Sequence, residues 1–297
     1  MKRYYTWFPG CSCAHGGAKA YGASALSVAK ALDVDLIELE DWNCCGSTPY
    51  SSIDGLAAMC AAVRNLALAE KKGLDMVTPC SCCITILKKA DAQPKEYPDL
   101  KKKIDACLAA GGLEYHGTVK VRHLLDVFAN DVGYKEMAAK VKVKLGDLKV
   151  APYYGCQVVR PTPSFDDPEN PQSLDRLVES LGAKPVPHPL KARCCGGSLV
   201  IPEEEIALDL VHKILEDAAR NGADLIVTVC PLCQTNLDVY QSRVNKKFKT
   251  NFKLPVLFFT QLMGMAFGVD RKSLGLGTCI VSPDKVLAKA TAGAKGG

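Results

Sequence analysis

The first half of the chain contains Cys44-Cys45-Gly46 and Cys80-Ser81-Cys82-Cys83, and the second half contains Cys194-Cys195-Gly196 and Cys230-Pro231-Leu232-Cys233. Each motif lies 150 positions before its counterpart. Such self-similarity at a fixed offset indicates a duplicated unit. We therefore expect two tandem, pseudo-symmetric domains, at residues 1–147 and 148–297.

A third pair of motifs has a slightly different offset. Gly10-Cys11 precedes Gly155-Cys156 by 145 positions, so the second half has gained five residues before its Cys-Cys-Gly motif. The proline-rich segment 160–171 accounts for this insertion, because its prolines disfavour a regular helix or a central strand.

The offset also separates repeated cysteines from additional ones. Five cysteines in each half belong to the repeat, and the remaining five of the 15 are Cys13, Cys60, Cys82, Cys107 and Cys279. Cys60 and Cys107 lie among Ala and Leu in helix-like segments, where cysteine usually serves as a small buried apolar residue. The repeat gives no explanation of Cys13 or Cys82.

Each half alternates between strand-like and helix-like segments. The predicted strands are 3–8, 36–39, 75–78, 149–154, 184–187 and 225–229. The predicted helices are 18–32, 53–72, 173–181 and 203–221. Alternation of this kind predicts an α/β fold in which a small, mostly parallel sheet is flanked by helices. Every cysteine motif follows a strand, at the sheet edge where ligand sites collect in open α/β folds.

Two further segments have a predicted structure. A strand leading into a packed helix is expected at 255–268, and a frayed, flexible tail is expected at 288–297.

Composition excludes several classes of protein. A chain of 297 residues with 48% hydrophobic and 23% charged residues is too large for a disulfide-stapled miniprotein and too apolar for a disordered chain. No apolar run is long enough to span a bilayer. The net charge of +5 comes from dispersed lysines, which does not favour nucleic acid binding. The odd cysteine count and the lack of an apolar leader after Arg3 predict a cytoplasmic, thiolate-rich metal protein.

Three chemistries fit cysteine motifs of this kind. A Cys-x-x-Cys at a strand-to-helix junction is typical of thioredoxin-like dithiols, but this leaves both Cys-Cys-Gly motifs unexplained. Tetrahedral zinc uses four thiolates, but adjacent cysteines are hard to place on one small ion. Iron–sulfur ligation fits best, because several irons can accommodate both vicinal cysteines and a Cys-x-x-Cys pair.

The doubled pattern resembles the CCG-domain family, and within it the B subunits of heterodisulfide reductases. Segments 121–125 and 259–262 are also similar to those subunits. The resemblance implies two noncubane [4Fe-4S] clusters with a substrate disulfide bound between them. It assigns five cysteine ligands to each cluster: Cys11, Cys44, Cys45, Cys80 and Cys83 for one, and Cys156, Cys194, Cys195, Cys230 and Cys233 for the other.

The resemblance also implies a reaction and partners. Each cluster would deliver one electron to a disulfide, or accept one from a pair of thiols. The chain lacks a ferredoxin-type cysteine run and a dinucleotide-binding glycine motif, so electrons would come from a ferredoxin-like HdrC-type subunit served by a flavoprotein HdrA-type subunit. Two alternatives stay open: a CCG-type electron-transfer subunit of a lactate, glycolate or succinate oxidoreductase, or a component of a bacterial sulfur-oxidising complex.

Four other residues are candidates for a catalytic role. His15 and His188 lie close in sequence to cluster cysteines and could supply a proton, although either could equally be a structural histidine. Lys191 and Arg193 precede the second Cys-Cys-Gly motif and could attract an anionic disulfide, or could be solvated. The first motif follows Asp41 instead, so we expect the two sites to differ in role.

Overall fold

The computed structural model describes residues 2–47, 50–160 and 165–293. The first domain consists of β1 (Arg3–Trp7), α1 (Gly10–Ala14), α2 (Lys19–Ala31), β2 (Val34–Glu38), α3 (Tyr50–Ile53), α4 (Gly55–Glu70), β3 (Met76–Thr78), α5 (Ser81–Glu96), α6 (Pro98–Ala110), β4 (Val121–His123), α7 (Leu124–Asp126) and α8 (Tyr134–Ala139). A π-helical segment, Val127–Val132, joins α7 to α8.

The second domain repeats this order with fewer short helices. It consists of β5 (Lys149–Tyr153), α9 (Ser173–Ser180), β6 (Lys184–Pro185), α10 (Glu204–Arg220), β7 (Leu225–Thr228), α11 (Pro231–Val239), α12 (Gln241–Phe248), β8 (Val256–Phe258), α13 (Phe259–Ala266) and α14 (Asp284–Gly293). Two 3-10 turns, Gly197–Val200 and Leu276–Thr278, complete the domain.

Two four-stranded sheets of identical topology form the framework. The strand orders are β2-β1-β3-β4 and β6-β5-β7-β8, and every neighbouring pair is parallel. Helices flank both sheets, so the predicted α/β fold with two similar halves is confirmed. Parallel strands end at one edge, which delivers each cysteine motif to the same side of its sheet.

The predicted strands and helices occur close to their expected bounds, but one strand was missed. The strand β4 reads Val-Arg-His and is buried throughout. Arg122 is neutralised there by Asp126, at 2.8 Å, and by Asp131, at 2.5 Å. Hydropathy cannot reveal a buried strand whose polar residues are compensated by partners elsewhere.

Two local expectations need correction. Cys60 is buried on α4, but Cys107 is exposed on α6, where Ile104 and Leu108 take the inward-facing positions. The helix α14 extends to Gly293, so the predicted tail begins as helix. Residues 294–297 and residues 161–164 of the proline-rich insertion lie outside the described parts of the chain.

Among the described residues, one hydrophobic cluster spans both domains, and each domain also has a cluster of its own. The helix α2 of the first domain packs against α13 of the second, and α9 of the second packs against α7 and α8 of the first. Tyr21 on α2 stacks on Phe258 with ring centroids 4.2 Å apart, and Phe128 contacts Phe259 edge-on. This reciprocal packing holds the cysteine-bearing edges of the two sheets beside each other.

One carbonyl oxygen of the second domain accepts several hydrogen bonds from the first domain. Val229 O accepts hydrogen bonds from Tyr21 Oη at 3.2 Å, Ser81 Oγ at 3.3 Å and His123 Nε2 at 3.2 Å. All three donors belong to the first domain, and the accepting residue immediately precedes Cys230. The first domain therefore helps to position a cysteine of the second.

Candidate metal centre at the domain interface

The structure brings the five repeated cysteines of the first domain together. Cys11 follows β1, Cys44 and Cys45 follow β2, and Cys80 and Cys83 follow β3. The Sγ atoms of Cys11 and Cys44 lie 3.9 Å apart. The thiols of Cys44 and Cys83 both hydrogen-bond to Cys45, and Cys83 also contacts Cys80. We call these five residues the first cysteine set.

The second domain assembles its five cysteines in the same way. The Sγ atoms of Cys195 and Cys233 are 3.6 Å apart, Cys156 hydrogen-bonds to Cys194, and Cys233 contacts Cys230. We call these five residues the second cysteine set. All 15 cysteines are free thiols, so no cysteine of either set forms a disulfide bond.

A glycine before the first cysteine of each set makes room for the last cysteine. Gly10 and Gly155 have φ angles of +69° and +68°. A Cβ atom at either position would lie 2.9 Å from the Sγ atom of Cys83 or Cys233, respectively. Glycine alone can adopt this positive φ without strain and has no Cβ atom to clash with the cysteine sulfur. This explains the Gly-Cys element of the repeat.

Neighbouring thiols and the backbone favour thiolate formation at selected cysteines. Hydrogen bonds from Cys44 and Cys83 lower the pKa of Cys45 to about 4. Cys82 and Cys83 lower the pKa of Cys80 to about 6. In the second set, Cys156 lowers the pKa of Cys194 to about 6. The pKa values of the partners Cys44, Cys83 and Cys156 are raised in turn, so each set combines thiols with thiolates, the form of cysteine that binds metals.

Cys80 and Cys230 gain further stabilisation from helix starts. They are the N-cap residues of α5 and α11. Hydrogen bonds from Cys233 and Cys82, together with backbone N–H groups in the first turn of α11, hold the pKa of Cys230 well below its usual range. The N-terminus of a helix favours negative charge, so both helices offset part of the charge that collects here.

Different residues hold the two Cys-Cys-Gly loops. In the first domain, Asn65 on α4 accepts from the N–H of Asn43 at 2.9 Å and donates to its carbonyl at 2.9 Å. In the second domain, Asn236 on α11 donates to the carbonyls of Cys195 at 3.1 Å and Gly197 at 3.0 Å. Both loops are thus fixed by an asparagine, but from different elements.

A cavity of about 440 Å³ opens between the domains beside the second set. Cys156, Cys194, Cys195, Cys230 and Cys233 contribute to its wall. The first domain contributes residues that include Ser47, Ser81 and Cys82. The cavity is large enough for a small organic molecule and presents both thiols and hydroxyls.

The first set has its own opening, on the outer surface. A recess of about 610 Å³ there is lined by Cys11 and Cys44 together with His15, Trp42 and Asp41. The His15 and Trp42 rings stack with centroids 5.7 Å apart. Trp42 Nε1 donates to Glu38 at 3.0 Å. His15 therefore lies at the first set, but on the solvent side.

The other three catalytic candidates lie apart from the cavity. His188 is buried and its Nδ1 is 2.6 Å from an oxygen of Asp217. Lys191 is also buried, 3.1 Å from Asp175 and above the Tyr154 ring, so its charge is already balanced. Arg193 is exposed beside Cys194, and within the described residues its guanidinium has no acidic partner. The structure brings none of these side chains together with His15.

Sequence reasoning left Cys13 and Cys82 unexplained, and the structure gives each a place. Cys13 is buried in the shared core, where burial and the nearby Cys80 and Cys230 raise the pKa of its thiol. Cys82 lies between the two sets, in contact with Cys80 of one and Cys230 of the other. Its counterpart at the 150-residue offset, Leu232, also lines the cavity. Comparing the repeats position by position could have flagged this substitution.

Two segments of the chain, residues 5–88 and 150–238, match the cysteine-rich domain known as CCG. Each segment contains one complete cysteine set. The chain belongs to the CCG cysteine-rich domain family. The resemblance drawn from the doubled motif is therefore confirmed.

The relatives that match along most of their length are named either as a fumarate reductase subunit or as heterodisulfide reductase B subunits. The 8-methylmenaquinol:fumarate reductase membrane anchor subunit of Wolinella succinogenes is 38% identical, over 96% of this chain and all of the relative. The B subunit of a ferredoxin/F420H2-dependent CoB-CoM heterodisulfide reductase from Methanosarcina acetivorans is 34% identical over 87% of both chains. An Archaeoglobus profundus protein named as similar to the heterodisulfide reductase B subunit is 33% identical over 95% of this chain and 96% of that one.

A solved structure supports the fold of the paired CCG domains. A hypothetical protein from Helicobacter pylori superposes with a TM-score of 0.74 at 17% identity. The match covers 95% of this chain, which spans 52% of the length of that one. Within residues 2–47, 50–160 and 165–293, no helix has both the length and the apolar character needed to cross a membrane.

The donor atoms of the two CCG domains fit iron–sulfur chemistry. Five soft sulfur donors per domain, all of them free thiols, are the ligand type that selects such clusters. Gly10 and Gly155 have no side chain, which leaves room for the sulfur atoms of Cys83 and Cys233 beside them. Across the described residues, no group of three or more His, Cys, Asp or Glu side chains is arranged to hold a single metal ion.

Proposed function

We propose that this chain is the catalytic subunit of a heterodisulfide reductase-like complex. It would reduce a disulfide, or oxidise two thiols in reverse, at two noncubane [4Fe-4S] clusters held by the first and second cysteine sets. The observation that carries this proposal is the interdomain cavity, which is large enough for a small disulfide. All five cysteines of the second set line it, together with Ser47, Ser81 and Cys82, which lie within two positions of first-set cysteines in the chain.

The reaction needs two electrons and two protons to convert one disulfide into two thiols. Each bound cluster would supply one of these electrons, so the two sets together match the stoichiometry of one S–S bond. The chain's own contribution is to hold the substrate between them. Ser47 and Ser81 offer hydroxyl groups in the cavity wall, and Leu232 and Ile86 offer apolar surface.

Arg193 does not line the interdomain cavity, but it is exposed next to Cys194 in the chain and stays a candidate for attracting an anionic substrate. The charge of Lys191 is instead balanced by Asp175. His15 stays a candidate proton donor at the first set only, because it lies at the outer recess. We assign His188 a structural role in this proposal, since its imidazole is buried against Asp217.

The electrons would come from partner proteins. Relatives named as heterodisulfide reductase B subunits support membership of a multi-subunit complex. We propose a ferredoxin-like HdrC-type subunit as the direct donor, which would in turn receive electrons from a flavoprotein HdrA-type subunit.

A second candidate function is an electron-transfer subunit of an organic-acid oxidoreductase. The Wolinella succinogenes relative, a fumarate reductase subunit matched along its whole length, favours this alternative. In that function the clusters would pass electrons without binding a disulfide, and the interdomain cavity would have no sulfur substrate.

Spectroscopy of the anaerobically purified chain separates the two candidates. The oxidised protein is treated with coenzyme M, with coenzyme B, and with their mixed disulfide, and its electron paramagnetic resonance spectrum is recorded. A new or altered signal with any of these probes supports a sulfur substrate at a cluster. An iron-loaded protein whose spectrum is unchanged by all three would favour the electron-transfer function.

A further inference from the structure

The carbonyl group that precedes the Cys-Cys-Gly motif accepts a side-chain hydrogen bond in both domains. In the first domain, Asn65 Nδ2 donates to Asn43 O at 2.9 Å. In the second domain, Tyr153 Oη donates to Arg193 O at 2.6 Å. Asn43 and Arg193 are 150 positions apart, so the two accepting carbonyls are equivalent in the repeat. Each domain therefore satisfies the same acceptor, but with a different side chain.

The two donors come from different positions of the repeat. Tyr153 corresponds to Phe8, because both stand two residues before the glycine of a Gly-Cys element. Asn65 on α4 corresponds to Leu215 on α10, 150 positions later. All four side chains are fully buried. Each domain thus has one polar and one apolar residue at this pair of positions, with the donor on a helix in the first domain and on a strand in the second.

The hydrogen bond made by Tyr153 acts on the peptide group that joins Arg193 to Cys194. A peptide group is planar, so holding its oxygen also restrains the nitrogen and the Cα atom of Cys194. The preceding N–H group, that of Arg193, donates to Leu190 O at 3.0 Å. The tyrosine hydroxyl and this backbone contact together restrain the chain where it enters the second cysteine set.

We propose that Tyr153 is a positioning residue for the second cysteine set, and that its hydroxyl does for Cys194 what the amide of Asn65 does for Cys44. This inference rests on the proposed iron–sulfur function. Removing a residue that orients metal ligands typically weakens metal binding by roughly 10–100-fold. What each site requires is a donor to this carbonyl, and the position from which the donor comes can differ.

The test measures iron release from the anaerobically loaded protein to a chelator, together with its electron paramagnetic resonance spectrum. Tyr153→Phe gives the second domain the residue of the first and removes only the hydroxyl. In a Cys45→Ala background, which leaves the second set intact, we expect release about tenfold faster and an altered spectrum. In a Cys195→Ala background, which leaves the first set intact, the same substitution should change neither.

Asn65→Leu should give the opposite pattern, with faster release from the first set only. Its effect should be larger, because Asn65 also accepts from the Asn43 N–H group at 2.9 Å. The matched control is Tyr115→Phe, which removes a hydroxyl that donates to Asp91 at 2.7 Å, outside both sets. This control should release iron at the wild-type rate.

Transplanting the donor tests whether the carbonyl contact itself is required. Combining Tyr153→Phe with Leu215→Asn gives the second domain the arrangement of the first, and should restore much of the iron retention. Combining Asn65→Leu with Phe8→Tyr makes the reciprocal exchange in the first domain. Restored retention in either double variant would support the inference, because a general loss of stability would not be reversed by a second buried substitution.

Two results would overturn the inference. One is an iron-loaded Tyr153→Phe protein with the wild-type release rate and spectrum. The other is equally faster release from both sets, which would show a general loss of stability. The selectivity for one set decides the matter even where a double variant does not fold. A wild-type protein without iron would instead overturn the proposed function, so the failures of the two proposals are distinguishable.

Discussion

The two cysteine sets contain equivalent cysteines but have different surroundings. The first set opens outward into a recess bordered by Trp42, His15 and Asp41. The second set opens inward, onto the interdomain cavity. Both sets keep five equivalent cysteines and the glycine that makes room for the last of them, while the residues around the sets differ. The pseudo-symmetry therefore extends to the cysteine framework and not to the surfaces beside it.

The two domains also contribute unequally to the hydrogen bonds beside the cysteine sets. Three side chains of the first domain donate to Val229 O, beside Cys230. His123 Nε2 lies within hydrogen-bonding distance of both Val229 O and Pro79 O, so it connects the strand ends that carry Cys80 and Cys230. Its structural counterpart in β8 is the apolar Phe258, because Thr78 pairs with one and Thr228 with the other. The side-chain donors to Val229 O therefore all come from the first domain, although Thr260 of the second domain also contacts Ser24 across the interface, at 2.7 Å.

The largest expected effect comes from removing one buried ligand from each set in turn. Cys45 and Cys195 are both 3% exposed and occupy equivalent positions. We expect Cys45→Ala and Cys195→Ala each to lose about half of the iron and sulfide, because only one set loses a ligand. Loss of all iron in either variant would show that the sets do not bind metal independently.

Substituting the two glycines that make room for Cys83 and Cys233 tests whether both sets are built alike. Gly10→Ala and Gly155→Ala each combine a strained positive φ with a Cβ atom 2.9 Å from a sulfur. We expect each to lower the free energy of unfolding by about 3 kcal/mol. Urea denaturation of the metal-free protein measures this, and a change in only one variant would contradict the equivalence of the two sites.

Replacing His123 by the phenylalanine of the second domain tests this unequal contribution. His123→Phe removes the donor to Pro79 O and the Nδ1 acceptor of the Leu125 N–H, which lies 3.1 Å away. Buried polar groups left without partners cost free energy, so we expect a loss of about 2 kcal/mol in urea denaturation. Unchanged stability would mean that the interface depends on apolar packing alone.

A smaller difference between the domains is a carboxylate at the end of α4. Glu70 accepts hydrogen bonds from the N–H groups of His116 and Thr118, both at 2.8 Å, whereas the residue 150 positions later is the exposed Arg220. Burial alone would raise the pKa of Glu70, but the hydrogen bonds outweigh it and lower the pKa from 4.5 to about 2. The folded state thus binds the ionised form more favourably.

The interaction made by Glu70 stabilises the protein fully above about pH 4.5 and is lost as the pH falls towards about 2. Glu70→Gln should cost about 1 kcal/mol at neutral pH and flatten the loss of stability in acid. Unfolding free energies measured at several pH values give the comparison. Glu216→Gln, which breaks only a surface pair with Arg220, is the control. Parallel pH profiles for the wild type and Glu70→Gln would contradict this role.

The sequence was sufficient to predict the parallel α/β fold and the meeting of each five-cysteine set. Both follow from the 150-residue offset and from the rule that ligand sites form at the carboxyl ends of parallel strands. The sequence could not predict β4, because Arg122 and His123 are polar residues that are normally exposed. They can be buried here only because Asp126 and the carbonyl oxygen of Pro79 accept their hydrogen bonds. Nor could it predict that Cys107 is exposed. That depends on how α6 is rotated, not on local composition.

The placement of residues between the domains was also beyond the sequence. Cys82 acquires its contacts from α5 of one domain and Cys230 of the other, which lie 148 positions apart. Likewise, Lys191 is next to the second motif in sequence, yet its charge is taken up by Asp175. The roles of such residues depend on tertiary packing that no local pattern encodes.

The most direct test of paired multi-iron centres is metal and sulfide analysis of the chain purified without oxygen. Two four-iron sites predict about eight irons and a comparable amount of acid-labile sulfide per chain, with no stoichiometric zinc. A colourless protein that contains zinc and no labile sulfide would contradict the assignment of both cysteine sets.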